Sequence, residues 1–170
     1  MNDLDQLRHD EAARLIFLRD SDEATLVEAA LAFFRQGDTL RALLDEGHVT
    51  AARHEDLESC LHLCCSCLHA AGERRMQVIE ASQGEEHQRL FQKLNAEAKF
   101  FARSLDAAES LPAQLPRCSK EELIDNAIFG AQAFAGGNPA IEMNPASAEA
   151  KRIDAFDLAM RSLHELSRRD

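Results

Sequence analysis

The chain contains no tryptophan and no tyrosine, so nine phenylalanines supply its whole aromatic content. Val, Ile and Thr are sparse as well, and no segment shows the period-two alternation of a half-buried strand. A sheet protein is excluded. Only four prolines and seven glycines interrupt 170 residues, which leaves room for long helices. The apolar stretch Leu63 to Leu68, broken only by Ser66, is far too short to span a bilayer, which needs about 20 residues; no membrane partner is expected. Basic residues are outnumbered, 19 against 30, for a formal net charge of -11. Phosphate neutralisation needs a clustered basic surface, so general DNA binding is not expected. The opening MNDLDQLRHD has neither the basic region nor the apolar region of a secretory signal. A cytoplasmic protein is expected, in which five cysteines stay reduced.

What is abundant is Ala, Leu, Glu, Arg and Gln, with 45% hydrophobic residues overall. These are helix formers. The expected fold is all-α, a single-domain helical bundle of about six helices with a long central antiparallel helical hairpin. Residues 117–170 carry seven Lys or Arg and nine Asp or Glu, leaving twelve against twenty-one for residues 1–116. The acidity therefore belongs to the first two thirds. Residues 1–112 are expected to form an acidic helical bundle that includes the hairpin, with 117–170 as a helix-loop-helix packed on it.

Periodicity places a first helix over Leu4 to Leu18 and a second after a cap at Asp20 or Ser21. The second is apolar over a wide arc, with Leu26, Val27, Ala30, Leu31, Phe33 and Phe34, and should be nearly buried. Gly37 is expected to stop it, and Gly47 to stop a short helix after it. A long helix starts at Thr50 or His54 and runs to about Ala81, where SQGEE interrupts. From Glu85 to Ala108 a near-heptad seam follows, with Leu90, Phe91, Leu94, Ala98, Phe101 and Leu105. Gly84 is either a turn or a kink. The seam fits bundle packing better than a homodimer interface, which stays as the second option. The prolines of LPAQLP mark a boundary. Ser119 with Glu122 makes a capping box for a helix reaching about Ala135. Two Asn-Pro turns follow, and Ser147 caps a last helix whose tail, HELSRRD, should fray.

Most of the chelating side chains lie in HEDLESCLHLCCSCLH, residues 54–69. At about 100° per residue this helix separates into two faces. Leu57, Cys60, Leu61, Cys64, Cys67 and Leu68 form a buried stripe, in which free cysteine behaves as a small hydrophobe. His54, Glu58, His62, Cys65 and His69 form a second line, at steps of four, four, three and four. Pairs at i, i+3 or i, i+4 suit zinc or iron. One helix seldom completes a tetrahedral site, so His48, His87, Cys118 or His164 would have to join. A solvated polar face explains the same line without a ligand. Cys64 and Cys67 form a CxxC, but mid-helix on the apolar side rather than at a helix N-terminus, where redox motifs gain a lowered thiol pKa.

The segment AIFGAQAFAGGNPAIEMNP followed by RIDAFDLAMRSL resembles the ribosome modulation factor-like proteins. The resemblance covers about forty residues and rests on Gly130, Ala133, Phe134, Gly137, Asn144, Pro145, Ala155 and Phe156. In that family a G-x-x-A-F-x-x-G helix leads into an Asn-Pro-Tyr or Cys-Pro-Tyr turn and then an Ala-Trp helix. Ala146 stands here for the tyrosine and Phe156 for the tryptophan, and the segment is slightly acidic where the family is basic. The resemblance implies ribosome-associated regulation, or an accessory protein of a phage or mobile element. The same small residues are also what a close helix pair requires.

No Gly-rich phosphate loop and no ordered Ser/His/Asp set is present. The leading expectation is a non-enzymatic, acidic protein-interaction module without a cofactor, an accessory regulator or inhibitor of a bacterial protein partner. Glu86, Arg89 and Lys93 on the seam helix, with Asn138 and Asn144 in the Asn-Pro loop, are the expected contacts. A metal- or thiol-dependent helical enzyme or sensor is the second reading, and a ribosome-associated regulator the third.

Overall fold

The computed structural model describes residues 4–107, 111–135 and 145–169. Among them every regular element is helical and none is a strand. In chain order these are α1 (Leu4–His9), α2 (Glu11–Asp20), α3 (Glu23–Asp45), α4 (Ala51–Ala81), α5 (Gly84–Asp106), α6 (Leu111–Gln114), a 3-10 turn (Leu115–Arg117), α7 (Lys120–Phe134) and α8 (Pro145–Ser167). No described helix is long and apolar enough to cross a membrane. The chain divides into two compact units, Met1–Ala71 and Gly72–Asp170. The prolines at 112 and 116 thus fall inside the second unit, and the division lies within α4.

In the first unit, the helix expected over Leu4 to Leu18 is broken at Asp10. Its carboxylate accepts from the Ala13 amide at 3.0 Å and starts α2, so an acidic residue acts as cap rather than as helix interior. Asp22, not Asp20 or Ser21, caps α3 by accepting from Thr25 at 2.8 Å. Helix α3 then runs through Gly37 to Asp45. Gly37 is buried, and a Cβ there would lie 3.5 Å from Leu57 Cδ1 and 3.6 Å from Cys60 Cβ. It lies mid-helix against α4, where a methyl group would make ordinary van der Waals contact, instead of ending a helix. The true stop is Gly47, at φ +89°, a left-handed conformation that costs glycine little. Phe33, Leu26 and Leu31 of α3 form the core with Cys60, Leu63, Cys64, Cys67 and Leu68 of α4 and Leu7 of α1. The Arg8 guanidinium ties α1 to α4 by pairing with Asp56.

The second unit begins with the last turns of α4. Arg75 Nη1 lies 3.1 Å from Glu97 Oε2 of α5. An unbroken rod would hold residues 22 positions apart about 33 Å away from each other. Gly84, at φ +60°, is therefore a turn and the hairpin is antiparallel. Phe101 of α5 stacks on Phe129 of α7, with ring centroids 5.7 Å apart. The capping box at Ser119 forms in full, with Glu122 N to Ser119 Oγ at 3.1 Å and Ser119 N to Glu122 Oε2 at 2.8 Å.

Helices α7 and α8 approach closely because their facing residues are small. A Cβ on Gly130 would lie 2.5 Å from the Ala155 carbonyl oxygen and 2.8 Å from Ala159 Cβ. Phe134 packs on Phe156 at 4.8 Å. Four of the residues behind the family resemblance, Gly130, Phe134, Ala155 and Phe156, thus serve this helix pair. Helix α8 starts at Pro145, two residues before Ser147, and proline suits a first turn that lacks amide acceptors. The last described residue of the tail is tied back to the 3-10 turn. Arg169 donates to the carbonyls of Cys118 at 2.7 Å, Pro116 at 3.1 Å and Leu115 at 3.2 Å, and its Nε meets Glu165 at 3.1 Å. Guanidinium donors thereby reach the Pro116 and Cys118 carbonyls at the end of the 3-10 turn and share the Leu115 carbonyl with the Cys118 amide.

Candidate functional site

The helical rotation separates the Cys/His segment of α4 as the spacing predicts. Cys60, Cys64 and Cys67 are buried, whereas His54, Glu58 and His62 are exposed and Cys65 and His69 are half-buried. The thiols are weak acids here. Burial raises Cys60, pushes Cys65 up to about 11 and Cys67 to about 12, and takes Cys64 well above its usual value, with neighbouring thiols adding to the last two. Cys118 in the second unit is also raised, first by burial and then by Glu122. All five therefore favour the protonated thiol near neutrality, and none is an activated nucleophile.

Among the described residues no three His, Cys, Asp or Glu side chains come together in a way that would hold a metal ion. The line 54, 58, 62, 65 and 69 follows one helix, and a helix supplies pairs, not a closed polyhedron. His87, one candidate for completing the set, is otherwise engaged. Its Nδ1 lies 2.9 Å from the Ile79 carbonyl oxygen and its ring stacks on Phe91.

The expected partner contacts on α5 are at the surface. Glu86, Arg89 and Lys93 are exposed at steps of three and four. Glu86 and Arg89 pair at 2.7 Å, which holds the Glu86 carboxyl below its usual range through hydrogen bonding and charge. Lys93 reaches Glu97 at 3.6 Å. The hairpin also exposes apolar side chains, with Val78 at 60% and Phe91 at 50%. Asn138 and Asn144 lie outside the described residues.

Two features had no signal in sequence. One is α2, which buries no side chain although it carries Leu15, Ile16, Phe17 and Leu18, and Leu15 and Ile16 are more than half exposed. It belongs to a unit with fourteen acidic residues against six basic. The other is the polar node at the base of the hairpin, where Arg75 Nη1 meets Glu97 at 3.1 Å and Asp125 at 2.8 Å. The two carboxylates are 22 and 50 positions from Arg75, so no local motif announces them.

No family model, curated protein or solved structure matches the chain.

Proposed function

We propose that this is a non-enzymatic, acidic helical interaction module, an accessory regulator or inhibitor that binds a bacterial protein partner in the cytoplasm through the α4–α5 hairpin. The observation that carries the reading is the exposure on that hairpin of two large apolar side chains, Phe91 and Val78. Exposed apolar side chains on a helical surface suit contact with another protein better than a small ligand, which takes a concave site. The exposed Leu15 and Ile16 of the acidic first unit offer a second patch of the same kind. Protonated thiols speak against the thiol-dependent alternative.

Affinity capture from bacterial lysate tests the proposal with wild type, Phe91→Asp and Val78→Asp side by side. The reading requires a protein that wild type retains and that both variants lose while their helical content is unchanged. Retention that is equal in all three, or a co-purifying metal or small molecule with no retained protein, sinks it. Co-sedimentation with ribosomes that weakens as salt rises would move the chain to ribosome-associated regulation.

A further inference from the structure

Three helices of the second unit converge on one nitrogen. Arg75 of α4 meets Glu97 of α5 and Asp125 of α7 through the same Nη1, and the three side chains are 15%, 11% and 12% exposed. Those two distances put the carboxylate oxygens within about 6 Å of each other, close enough for like charges to oppose joint ionisation.

Glu97 divides its two oxygens. Oε2 faces Arg75 at 3.1 Å, whereas Oε1 faces Lys93 Nζ at 3.6 Å. The two cations differ in kind. Arg75 is held inside the unit, but Lys93 is 68% exposed, and a lysine on its flexible stem can be drawn to another anion. The charged groups acting on Glu97 are Arg75 from α4, Asp125 from α7 and Lys93 from α5 itself. Helix α8 also packs on α5, and no described side chain of α8 is among them.

We infer that this node is a proton-binding site at the base of the hairpin, and that Lys93 sets its occupancy. While Lys93 lies on Oε1, its charge favours the ionised carboxylate. When an outside anion draws Lys93 away, Glu97 binds its proton more tightly, and protonation of Oε1 begins at a higher pH. Oε2 goes on accepting from Arg75, which also stays paired with Asp125. Burial pushes the Glu97 carboxyl above the usual glutamate value; Arg75 pulls it back, Asp125 raises it again and Lys93 lowers it. Lys93 is the one of these groups at the surface. The inference stands on the node's geometry whether or not the hairpin binds a protein.

The test is a carboxyl-carbon NMR titration of the full chain labelled at glutamate, with Glu97 assigned by the resonance missing from E97Q. Wild type, Lys93→Gln and Arg89→Gln are compared. Arg89→Gln removes a charge of the same sign from the same exposed helix without touching Glu97, and both substitutions are at surface positions. Glu97 should titrate above the ordinary glutamate value in wild type. It should rise by about half a pH unit more in Lys93→Gln, as an exposed ion pair is worth that much, and stay in place in Arg89→Gln. An ordinary midpoint in wild type, no rise in Lys93→Gln, or equal shifts in the two variants would overturn it.

Discussion

The two units solve the same packing problem with different materials. The first builds its core from large side chains, Phe33, Leu26 and Leu63, filled in by cysteines. Its main inter-helix ion pair, Arg8 with Asp56, leaves the carboxylate 42% exposed. The second brings α7 and α8 together over glycine and alanine and encloses Arg75 with two carboxylates that are each about one-tenth exposed. Apolar burial tolerates imprecise geometry, because it scales with area. Enclosed charges and backbone-to-backbone contact do not. The second unit should therefore be the more sensitive to single substitutions.

Arg75→Ala against Arg8→Ala is the severest trial of that contrast. Removing Arg75 takes the shared guanidinium from two largely enclosed carboxylates and should cost about 3–5 kcal/mol. Removing Arg8 leaves Asp56 in reach of water and should cost about 1–2 kcal/mol, mostly lost packing. Denaturant titration read by hydrogen exchange on each unit separates the two; equal losses would erase the distinction. The buried glycines come next. Gly130→Ala drives a Cβ onto the Ala155 carbonyl and should destabilise by about 1–3 kcal/mol. Gly37→Ala meets only ordinary van der Waals distances and should stabilise by up to about 1 kcal/mol, since alanine favours the helix. Opposite signs are expected, and like signs would show that the close approach of α7 and α8 is not what Gly130 provides.

Asn126 of α7 is wholly buried, and neither polar atom of its side chain has a hydrogen-bond partner among the described residues. Asn126→Leu should therefore stabilise by about 1–2 kcal/mol, visible as a raised midpoint in urea; a large loss would reveal a partner for the amide. Acid offers a subtler comparison. Glu97 has a raised folded-state pKa, so the native state takes its proton first, and the stability gained is present below the unfolded value and lost as pH rises through the folded one. Asp22 in the first unit is lowered by its bond to the Thr25 amide, so its contribution is present above the unfolded value and lost as pH falls through the folded one. On acidification from neutrality, wild type should gain on Glu97→Gln, whereas it should lose ground to Asp22→Asn once pH passes below the ordinary aspartate range. Thermal unfolding across pH 3 to 7, a span set by the ordinary carboxylate values, reads both slopes. The smallest effect belongs to α4. His62→Ala with Cys65→Ala should change stability by less than about 0.5 kcal/mol and leave partner capture intact; loss of capture would restore the ligand line to a functional role.

What could be read from the chain follows the range of the interactions. The Ser119 capping box, the Thr50 cap accepting from Arg53 at 3.2 Å, the Gly47 stop and the burial of Cys60, Cys64 and Cys67 depend on residues within a turn or two, and spacing reveals them. Gly37 does not stop α3, because the burial of Phe33 and Phe34 on the same helix outweighs one glycine's low helix propensity. Asp10 reads as a surface residue of one helix and acts as the cap of the next. The Arg75 node lay beyond pattern reading altogether, since Arg74 and Arg75 are adjacent and only the folded unit decides which one turns inward.

The Arg169 contacts join positions 51 to 54 residues apart, so they close a loop that contains the whole of α7 and α8. The entropy of closing so long a loop falls due before the bonds return anything. Pairing of α7 with α8 must then precede the latch, which places it among the last contacts to form on folding and the first to open. Kinetically the 3-10 turn and the end of α8 are one event, and their amides should trade hydrogen with solvent together, ahead of the Gly130 contact between them.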